Sequence, residues 1–493
     1  MVTNKPRKIK NLFNERTTTT IITLIFSGLS WFLGNELYGN FWYLLWFAPI
    51  PVLLLSFNAK GKFAFVIAYI AYTIGRLSWF TYLQETSSLS FAIILTLFLP
   101  LIFSIVLIAV RRIVVTSQTW LSVFAFPVLF TASEFIMLNV SPEGSSSSLA
   151  YTQMNFLPVI QIASVTGILG ITFIITFIPS VIAVGWHFRF QKSKFFLLTI
   201  VSAFFIIGVL LFGIFRINNK AEINSFKAGL VSLNEQNHDA SKRPDSKKSL
   251  QTIHYYADAI SKLADSGAQL IVAPERAINI DTTINVEAIS ILSKVARQKH
   301  VYLIMGYTNI KSEPERNSAL VINTNGDVIV DYHKVHLIDG LEYRFTPGNK
   351  MGLFTFNDMQ AGVAICKDLD YPDYINKYGK IKISFMVVPA WDFVINDWLH
   401  SRMTILRGVE NGFSIIRTTR QGRLTISNCY GRVCFEKDAS NGEQTFLFGK
   451  VSIKNTNTLY ANFGNWFGIL NAVVALLFIF EIIRKRKKQI IYL

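Results

Sequence analysis

The sequence GVAICKDLDYPD, residues 362–373, joins a short apolar run to a turn that is rich in charge. The apolar run Gly362–Ile365 is typical of a buried strand, and Tyr-Pro-Asp closes the turn. The end of such a strand would present Cys366 at the place where a nucleophile is held. A lone cysteine is more often a small buried hydrophobic residue, so a catalytic role needs support from the rest of the chain.

The composition indicates a membrane protein. The 493 residues are 51% hydrophobic, include 41 Phe and have a mean hydropathy of +0.37, which is too apolar for a purely soluble protein. The formal net charge is +17, but residues 218–462 contain 29 Lys and Arg against 25 Asp and Glu, a balance of +4. The remaining +13 lies in and around the apolar segments. The basic excess therefore reports membrane topology rather than nucleic-acid binding.

Eight apolar segments are expected to cross a bilayer, which requires about 20 helical residues each. They lie at about 18–33, 41–57, 63–83, 89–110, 119–138, 158–186, 195–215 and 466–483. No small-residue cleavage site follows the first segment, so we expect it to be a retained span rather than a signal peptide. The sequence thus predicts a seven-span membrane domain at 1–217, a soluble domain at 218–462, and a C-terminal span with a basic cytoplasmic tail at 463–493.

The loops between the spans predict their orientation. Lys and Arg cluster in alternate loops, at residues 5–10, 60–62, 111–112, 189–194 and 484–488. The opposite loops, at 34–40, 84–88 and 139–156, contain Glu but neither Lys nor Arg. By the positive-inside rule, both termini are cytoplasmic and the soluble domain lies on the outer side of the membrane.

Two ionisable residues fall inside predicted spans, Arg76 in the third and Glu134 in the fifth. Charges inside a bilayer are costly unless they are paired or hydrated. The two residues lie at similar depth in the outer halves of their spans. We therefore expect either an Arg76–Glu134 pair or two side chains that extend to the outer interface.

From Asn224 onward, short apolar strands alternate with polar helices. Strands are expected at 226–233, 270–273, 301–307, 318–322, 328–332, 362–365 and 383–388, with hairpin strands at 413–417, 424–427 and 445–451, and helices at 250–265, 286–298 and 398–410. This order predicts an α/β or α+β domain with two packed sheets and outer helices.

Three of the expected strand ends carry chemically reactive side chains. Glu275 follows one strand, Lys334 follows another, and Cys366 follows a third. A carboxylate can take the proton of a thiol, and an ammonium can stabilise the thiolate and the oxyanion of a tetrahedral intermediate. Glu275 and Lys334 are also compatible with an ordinary surface ion pair, but the three together favour covalent catalysis.

The stretches LIVAPE (270–275), YHKVHL (332–337) and GVAICKD (362–368) resemble the three motifs of the nitrilase, or carbon–nitrogen hydrolase, superfamily. The resemblance implies an αββα sandwich and a triad in which Glu275 is the general base, Lys334 the oxyanion stabiliser and Cys366 the nucleophile. Glu342 matches a further glutamate that supports the triad. We expect neither a cofactor nor a metal, because no Cys/His cluster has metal-ligand spacing.

The chain as a whole resembles one membrane branch of that superfamily, the apolipoprotein N-acyltransferases. The likeness covers nearly the whole chain and includes Glu134, QIASVTG at 161–167, RGVENG at 407–412 and TLY at 458–460. It implies transfer of an acyl chain from phospholipid, through a cysteine thioester, to the N-terminal diacylglyceryl-cysteine of a lipoprotein. It also implies a monomer in the bacterial inner membrane, with the catalytic domain on the periplasmic side.

Two stretches depart from that branch. Its members usually carry Tyr-Glu after the nucleophile, whereas this chain has Lys367-Asp368, which is closer to soluble nitrilases and amidases. The outer loop SPEGSSSS at 141–148 lacks a Pro-Trp that is often found there. One alternative is therefore a membrane-tethered carbon–nitrogen hydrolase with water as the acceptor. Another is a transporter or receptor whose outer domain only binds a ligand.

The two remaining cysteines, Cys429 and Cys434, flank a plausible hairpin turn at Tyr430-Gly431-Arg432. A cross-strand disulfide is conceivable in an oxidising compartment, and two ordinary buried thiols are the other possibility.

Overall fold

The computed structural model describes residues 5–117, 119–219, 224–233, 245–311, 313–454 and 456–491. Its helices are α1 (Lys5–Gly34), α2 (Ile50–Asn58), α3 (Gly61–Arg76), α4 (Phe80–Thr86), α5 (Leu89–Ser117), α6 (Ala125–Val140), α7 (Leu157–Ile160), α8 (Ala163–Thr166), α9 (Ile168–His187), α10 (Lys192–Asn218), α11 (Ser246–Asp265), α12 (Asn285–Lys299), α13 (Pro372–Lys380), α14 (Asp397–Asn411), α15 (Leu459–Phe463) and α16 (Trp466–Ile491). Its strands are β1 (Asn224–Ser232), β2 (Leu270–Val272), β3 (Ile278–Ile280), β4 (Tyr302–Asn309), β5 (Arg316–Ile322), β6 (Val328–His333), β7 (Gly352–Phe356), β8 (Met359–Val363), β9 (Phe385–Ala390), β10 (Ser414–Thr419), β11 (Arg423–Ser427), β12 (Val433–Asp438) and β13 (Thr445–Ile453).

Long apolar helices form the N-terminal part and the C-terminal end of the chain. Among the described residues, seven helical segments are long and apolar enough to cross a membrane, namely Thr17–Gly34, Gly61–Thr86, Leu89–Ser117, Trp120–Val140, Ile168–His187, Lys192–Asn218 and Trp466–Lys485. The strands lie between the last two. The predicted fold class, a multi-span helical domain joined to an α/β domain, is confirmed, and the number of long spans is one lower than predicted.

Two of the eight predicted spans differ from the helices observed. The second, Trp42–Asn58, is a short 3-10 turn followed by α2 and is shorter than the other spans. The sixth was predicted over 158–186, but α9 begins only at Ile168. Gly167 interrupts the helix with a φ of +69°, and a Cβ there would lie 2.4 Å from the Tyr460 ring. Only glycine accommodates both that backbone conformation and that close contact.

Helix α14 of the soluble domain packs against the start of α9. The Glu410 carboxylate accepts a hydrogen bond from the backbone N–H of Ile168 at 2.7 Å. Arg407, one turn earlier, lies 2.9 Å from the same carboxylate and donates to the Tyr151 hydroxyl at 3.0 Å. Because Arg407 and Glu410 are fully buried, each charge depends on its partner. The hydrogen bonds of this pair to Ile168 and Tyr151 therefore join the soluble domain to the helical domain.

The two charged residues in the predicted spans do not behave as expected. Arg76 is 1% exposed, and its guanidinium lies 4.7 Å from the centre of the Trp79 ring. Glu134 accepts a hydrogen bond from the backbone N–H of Leu149 at 3.0 Å. Within the described part of the chain, the two residues form no ion pair. Because Arg76 is almost fully buried, its side chain does not extend to the outer interface either. Aromatic stacking and a backbone donor take the place of the predicted pair.

The strands form two sheets that pack face to face. The first has the order β13-β1-β2-β4-β5-β6, with β3 paired to β4, and the second has the order β12-β11-β10-β9-β8-β7. Phe226 of the first sheet lies 4.5 Å from Phe356 and 5.0 Å from Phe385 of the second, measured between ring centres. Helices α11 and α12 cover the outer face of the first sheet, and α13 and α14 pack on the second. These layers are the αββα sandwich that the resemblance implied.

Most predicted strands and helices of this domain occur within a few residues of their expected bounds, but β3, β7, β12 and α13 were missed. Strand β12 (VCFEKD) is a polar edge strand and β3 has only three residues, so neither shows a clear apolar pattern. The predicted turn after Cys429 does join β11 to β12. Cys429 is buried, Cys434 is exposed, and neither is in a disulfide.

Candidate active site

The three residues predicted to be catalytic lie at strand ends from both sheets. Glu275 follows β2 and Lys334 follows β6 in the first sheet, whereas Cys366 follows β8 in the second. The backbone N–H of Glu275 donates to the carbonyl oxygen of Ala390, at the end of β9, at 3.2 Å. This hydrogen bond joins the two sheets at one end of the sandwich, where all three side chains meet.

The Lys334 ammonium lies between two carboxylates. Its Nζ is 2.8 Å from Oε1 of Glu275 and 2.8 Å from Oε2 of Glu342. All three side chains are at least 96% buried, and buried charges are tolerated only when they are paired. The two carboxylates raise the pKa of Lys334 well above its usual value, although burial opposes them, so the lysine is a cation. Lys334 and Glu342 account for one positive and one negative charge beside Glu275.

Asn317 is a member of this cluster that the sequence did not reveal. Its side-chain amide donates to Oε1 of Glu275 and to Oε1 of Glu342, each at 2.6 Å. The residue lies in β5, where it faces inward beside Lys334. Its backbone carbonyl oxygen accepts a hydrogen bond from the backbone N–H of Lys334 at 2.9 Å. The run RNSALVI gives no sign of this role, because one polar residue near a strand end is common.

The backbone at Cys366 is in an unfavourable conformation. Its φ is +43°, in the left-handed region that residues other than glycine rarely adopt. Such strain is found mainly where a side chain must be held in a fixed place. The Cys366 side chain is 8% exposed, and Sγ lies 3.7 Å from the carbonyl oxygen of Trp391. The strand-to-turn junction therefore holds a single thiol in a buried position.

Burial and the nearby Glu275 carboxylate raise the pKa of the Cys366 thiol well above its usual value, although Lys334 opposes them. The resting cysteine is therefore a neutral thiol rather than a thiolate. Burial raises the pKa of Glu342, but the Lys334 charge and the hydrogen bonds from Lys334, Ile338 and Asn317 together outweigh it, and the pKa is lowered. Attack by such a thiol requires a base that takes the proton at the moment of reaction.

Asp368 connects the turn after Cys366 to the strand that carries Lys334. Its carboxylate accepts hydrogen bonds from the backbone N–H groups of Val335 at 3.1 Å and His336 at 2.8 Å. It also accepts from the Tyr332 hydroxyl at 2.7 Å and from the backbone N–H of Ile365 at 3.0 Å. Because Asp368 is fully buried, these donors replace its hydration. The carboxylate thus fixes the thiol relative to the ammonium.

A buried ion pair holds the segment that faces the thiol. Arg417 donates to both carboxylate oxygens of Asp392, at 2.9 and 2.5 Å, and both residues are at most 2% exposed. Asp392 follows Trp391, whose carbonyl contacts Cys366. A bidentate pair of this kind restricts both side chains.

Two family models match the chain. Residues 227–446 match the carbon-nitrogen hydrolase model, and residues 27–181 match the model of the apolipoprotein N-acyltransferase N-terminal domain. The sandwich, with the cluster at its strand ends, is therefore the part of the chain that matches the carbon-nitrogen hydrolase domain. The helical half matches the N-terminal domain model of the apolipoprotein N-acyltransferases, so the two halves together have the domain organisation of that family.

Curated relatives align along most of the chain. An apolipoprotein N-acyltransferase from Geobacter metallireducens is 24% identical over 471 residues, which cover 86% of this chain and 88% of the relative. Apolipoprotein N-acyltransferase 1 from Treponema denticola is 22% identical and covers 93% of this chain and 95% of the relative. Among solved structures, an amidase from Nesterenkonia sp. AN1 matches 48% of this chain and 93% of its own, with 18% identity and a TM-score of 0.41.

Proposed function

We propose that this protein is an N-acyltransferase that moves an acyl chain from a phospholipid, through a thioester on Cys366, to the N-terminal amine of a diacylglyceryl-cysteine lipoprotein. The observation that carries the proposal is the Lys334 ammonium held 2.8 Å from both Glu275 and Glu342, at the end of the sandwich where the buried Cys366 thiol lies. The relatives that span most of the chain carry the matching name.

In the first half of the proposed reaction, Cys366 Sγ attacks the carbonyl carbon of a phospholipid ester while Glu275 takes the thiol proton. The tetrahedral oxyanion is stabilised by the Lys334 ammonium and by the backbone N–H of Lys367. When the C–O bond breaks, Glu275 returns the proton to the leaving oxygen, so that lysophospholipid departs and the acyl group stays on sulfur. The proton moves only between thiol, carboxylate and leaving group, so the charge of the buried cluster is restored.

In the second half, the lipoprotein amine attacks the thioester carbon. An amide bond forms, the C–S bond breaks, and the proton lost by the amine returns to the cysteine through Glu275. Glu342 and Asn317 are assigned to holding Lys334 and Glu275 in place rather than to contact with substrate.

The architecture fits substrates that are both embedded in a membrane. The soluble domain enters the fold after α10 and returns to α16, so both of its ends are next to candidate membrane helices. We assign residues 1–217 to the membrane domain, 218–462 to the catalytic domain and 463–493 to the final span and tail. Loop charge supports placing the catalytic domain on the outer side of the membrane. From the resemblance to apolipoprotein N-acyltransferases we assign the protein to the bacterial inner membrane, with the catalytic domain on the periplasmic side, and expect it to act as a monomer.

Intact-mass measurement of the purified protein in detergent tests the proposal. Incubation with phospholipid should add the mass of one acyl chain, Cys366→Ala should abolish the adduct, and addition of a diacylglyceryl peptide should remove it as the acylated peptide appears. Cys434→Ala is the matched control, because Cys434 is exposed and distant in sequence from the cluster, and it should keep the adduct. Absence of an adduct with every phospholipid tested would overturn the proposal.

The same adduct measurement, combined with an assay for ammonia, distinguishes the proposed function from its alternative. Release of ammonia from small amides without phospholipid, with no acyl adduct from lipid, would identify a membrane-tethered hydrolase that uses water as its acceptor. Retained biological activity in the Cys366→Ala protein would instead favour a binding or transport role.

A further inference from the structure

The outer loop that follows α6, residues 141–148, contacts the turn that follows Cys366. The backbone N–H and the hydroxyl of Ser145 both donate to the carbonyl oxygen of Asp370, at 2.8 and 2.7 Å. The Tyr371 hydroxyl donates to the carbonyl oxygen of Pro142 at 2.5 Å. The two stretches in which this chain departs from its family are therefore in direct contact with each other.

An ion pair completes this contact. Lys367 Nζ lies 2.8 Å from Oε2 of Glu143. The lysine side chain is only 4% exposed, whereas the glutamate is 37% exposed. A nearly buried ammonium needs a carboxylate close by, and here the helical half supplies it. The neighbouring Asp370 carboxyl is also buried, which adds a second acidic group near the lysine.

The approach of the loop is too close to admit a side chain at Gly144. A Cβ on this residue would lie 2.4 Å from the carbonyl oxygen of Asp370, and its φ of +54° also favours glycine. The loop sequence Glu-Gly-Ser thus provides a charge, a close approach and a double donor in three consecutive residues. These three features fit the loop to the turn after Cys366, and a loop surrounded by solvent would need none of them.

The backbone N–H of Lys367 is the group next to the nucleophile. Residues Cys366–Asp370 form a short 3-10 turn, whose first N–H groups have no acceptor within the turn itself. Asp368 holds this turn on the side of Lys334, and Glu143 and Ser145 hold it on the side of the helical domain. The position of the Lys367 N–H therefore depends on contacts from both halves of the protein.

We propose that Lys367 is a positioning residue, and that its ion pair with Glu143 sets the backbone N–H of Lys367 for stabilisation of the oxyanion during acylation of Cys366. The inference rests on the proposed thioester chemistry and adds to it a dependence of the catalytic turn on the membrane half. An exposed ion pair contributes little to stability. The carboxylate that pairs with a nearly buried lysine contributes more, because without it the lysine cannot regain its hydration.

Single-turnover kinetics of Cys366 acylation test this inference. Glu143→Gln and Lys367→Met should each lower the maximum acylation rate by about 10- to 100-fold. This is less than the roughly 100- to 1,000-fold cost of losing an oxyanion donor, because the N–H is misaligned rather than removed. The lipid concentration at half-maximal rate should change less than twofold. The double variant should be no slower than the slower single variant, and the charge exchange Glu143→Lys with Lys367→Glu should recover at least a third of the lost rate.

Lys299→Met is the matched control, because Lys299, which is 32% exposed, forms an ion pair of 2.6 Å with Asp265, which is 65% exposed, outside the catalytic cluster. It should leave the acylation rate unchanged, and the thermal midpoints of all variants should verify folding. Three outcomes would overturn the inference. The two substitutions could act multiplicatively in the double variant, the single variants could acylate within twofold of the wild-type rate, or only the lipid concentration at half-maximal rate could change.

A second acyl donor keeps this test separate from the proposed function. p-Nitrophenyl acetate acylates a cysteine through the same oxyanion without a lipid, and its burst of p-nitrophenolate reports the rate. If phospholipid gives no adduct, the proposed function fails, yet a 10-fold slower burst in the Glu143→Gln and Lys367→Met variants would still support the positioning role. An unchanged burst would overturn it.

Discussion

The side-chain amide of Asn317 lies 2.6 Å from Glu275, and the same nitrogen lies 2.6 Å from Glu342. Two carboxylates that share one lysine would otherwise repel each other in a buried site. The amide places a donor between them at the point of closest approach. It therefore orients both carboxylates without adding a charge to the cluster.

Replacing this amide should impair acylation. Asn317→Asp keeps the shape but turns the donor into a third acidic group, so we expect the acylation rate to fall by about 100-fold. The estimate follows from the roughly 1–3 kcal/mol that a buried unsatisfied polar group costs. The rate is measured by stopping the reaction at successive times and determining the acylated fraction by intact mass. Asn325→Asp, in an exposed hairpin turn, is the control and should be silent; equal rates in the two variants would show that the amide has no role.

The contact between the outer loop and the catalytic turn predicts a difference between two glycines. Gly144→Ala should lower the thermal midpoint and the acylation rate together, because its Cβ would meet the Asp370 carbonyl oxygen at 2.4 Å. Gly442 has a similar positive φ, +72°, but open space around it, so Gly442→Ala should cost only the roughly 1–2 kcal/mol of a Cβ in the left-handed conformation. Thermal unfolding in detergent and the acylation assay compare them. A rate unchanged in Gly144→Ala would contradict the described approach of the loop.

Asp370 predicts a dependence of stability on pH. Burial raises its pKa to about 6 from an ordinary 3.8, although His400, Lys367 and Arg407 oppose this and Glu143 adds to it. Between about pH 4 and 6 the folded state thus binds more protons at this site than the unfolded state does. The contribution of Asp370 to the free energy of unfolding therefore falls as pH rises, by about 3 kcal/mol at most.

The check is a comparison with Asp370→Asn, which cannot titrate. Thermal midpoints in detergent at pH 4, 5, 6 and 7 should show the wild type losing stability relative to this variant as pH rises through that range, with a constant difference above about pH 7. A difference that does not vary with pH would show that the Asp370 carboxyl has an ordinary pKa.

Much of the site could be predicted from the sequence, because three candidate residues stand at the ends of expected strands, and the family resemblance added Glu342. Glu275, Lys334 and Cys366 are in such positions, and the structure brings them together. Asn317 lacks any such signal. Its role depends on the inward face of β5 and on the two carboxylates opposite, which only the folded sheet places there.

Contacts between the helical half and the soluble half could not be predicted from local sequence patterns, for a different reason. Glu143 and Lys367 are 224 residues apart, and each alone is an ordinary charged residue in a polar stretch. Hydropathy likewise gave one long span over 158–186, since Gly167 is too weak a helix-breaking signal among apolar neighbours. The positive φ at that glycine became evident only with Tyr460 packed against it.

The hydrogen bond from Ile168 to Glu410 has a consequence for how the protein is made. Its two partners are 242 residues apart, a length of chain that a ribosome adding about 5–20 residues per second needs roughly 12–48 s to synthesise. During that interval α9 exists without the carboxylate that accepts its first N–H. Biogenesis of the helical half is therefore completed late in translation, and a nascent chain that stops short of α14 would remain dependent on the insertion machinery or its lipid surroundings for that helix end.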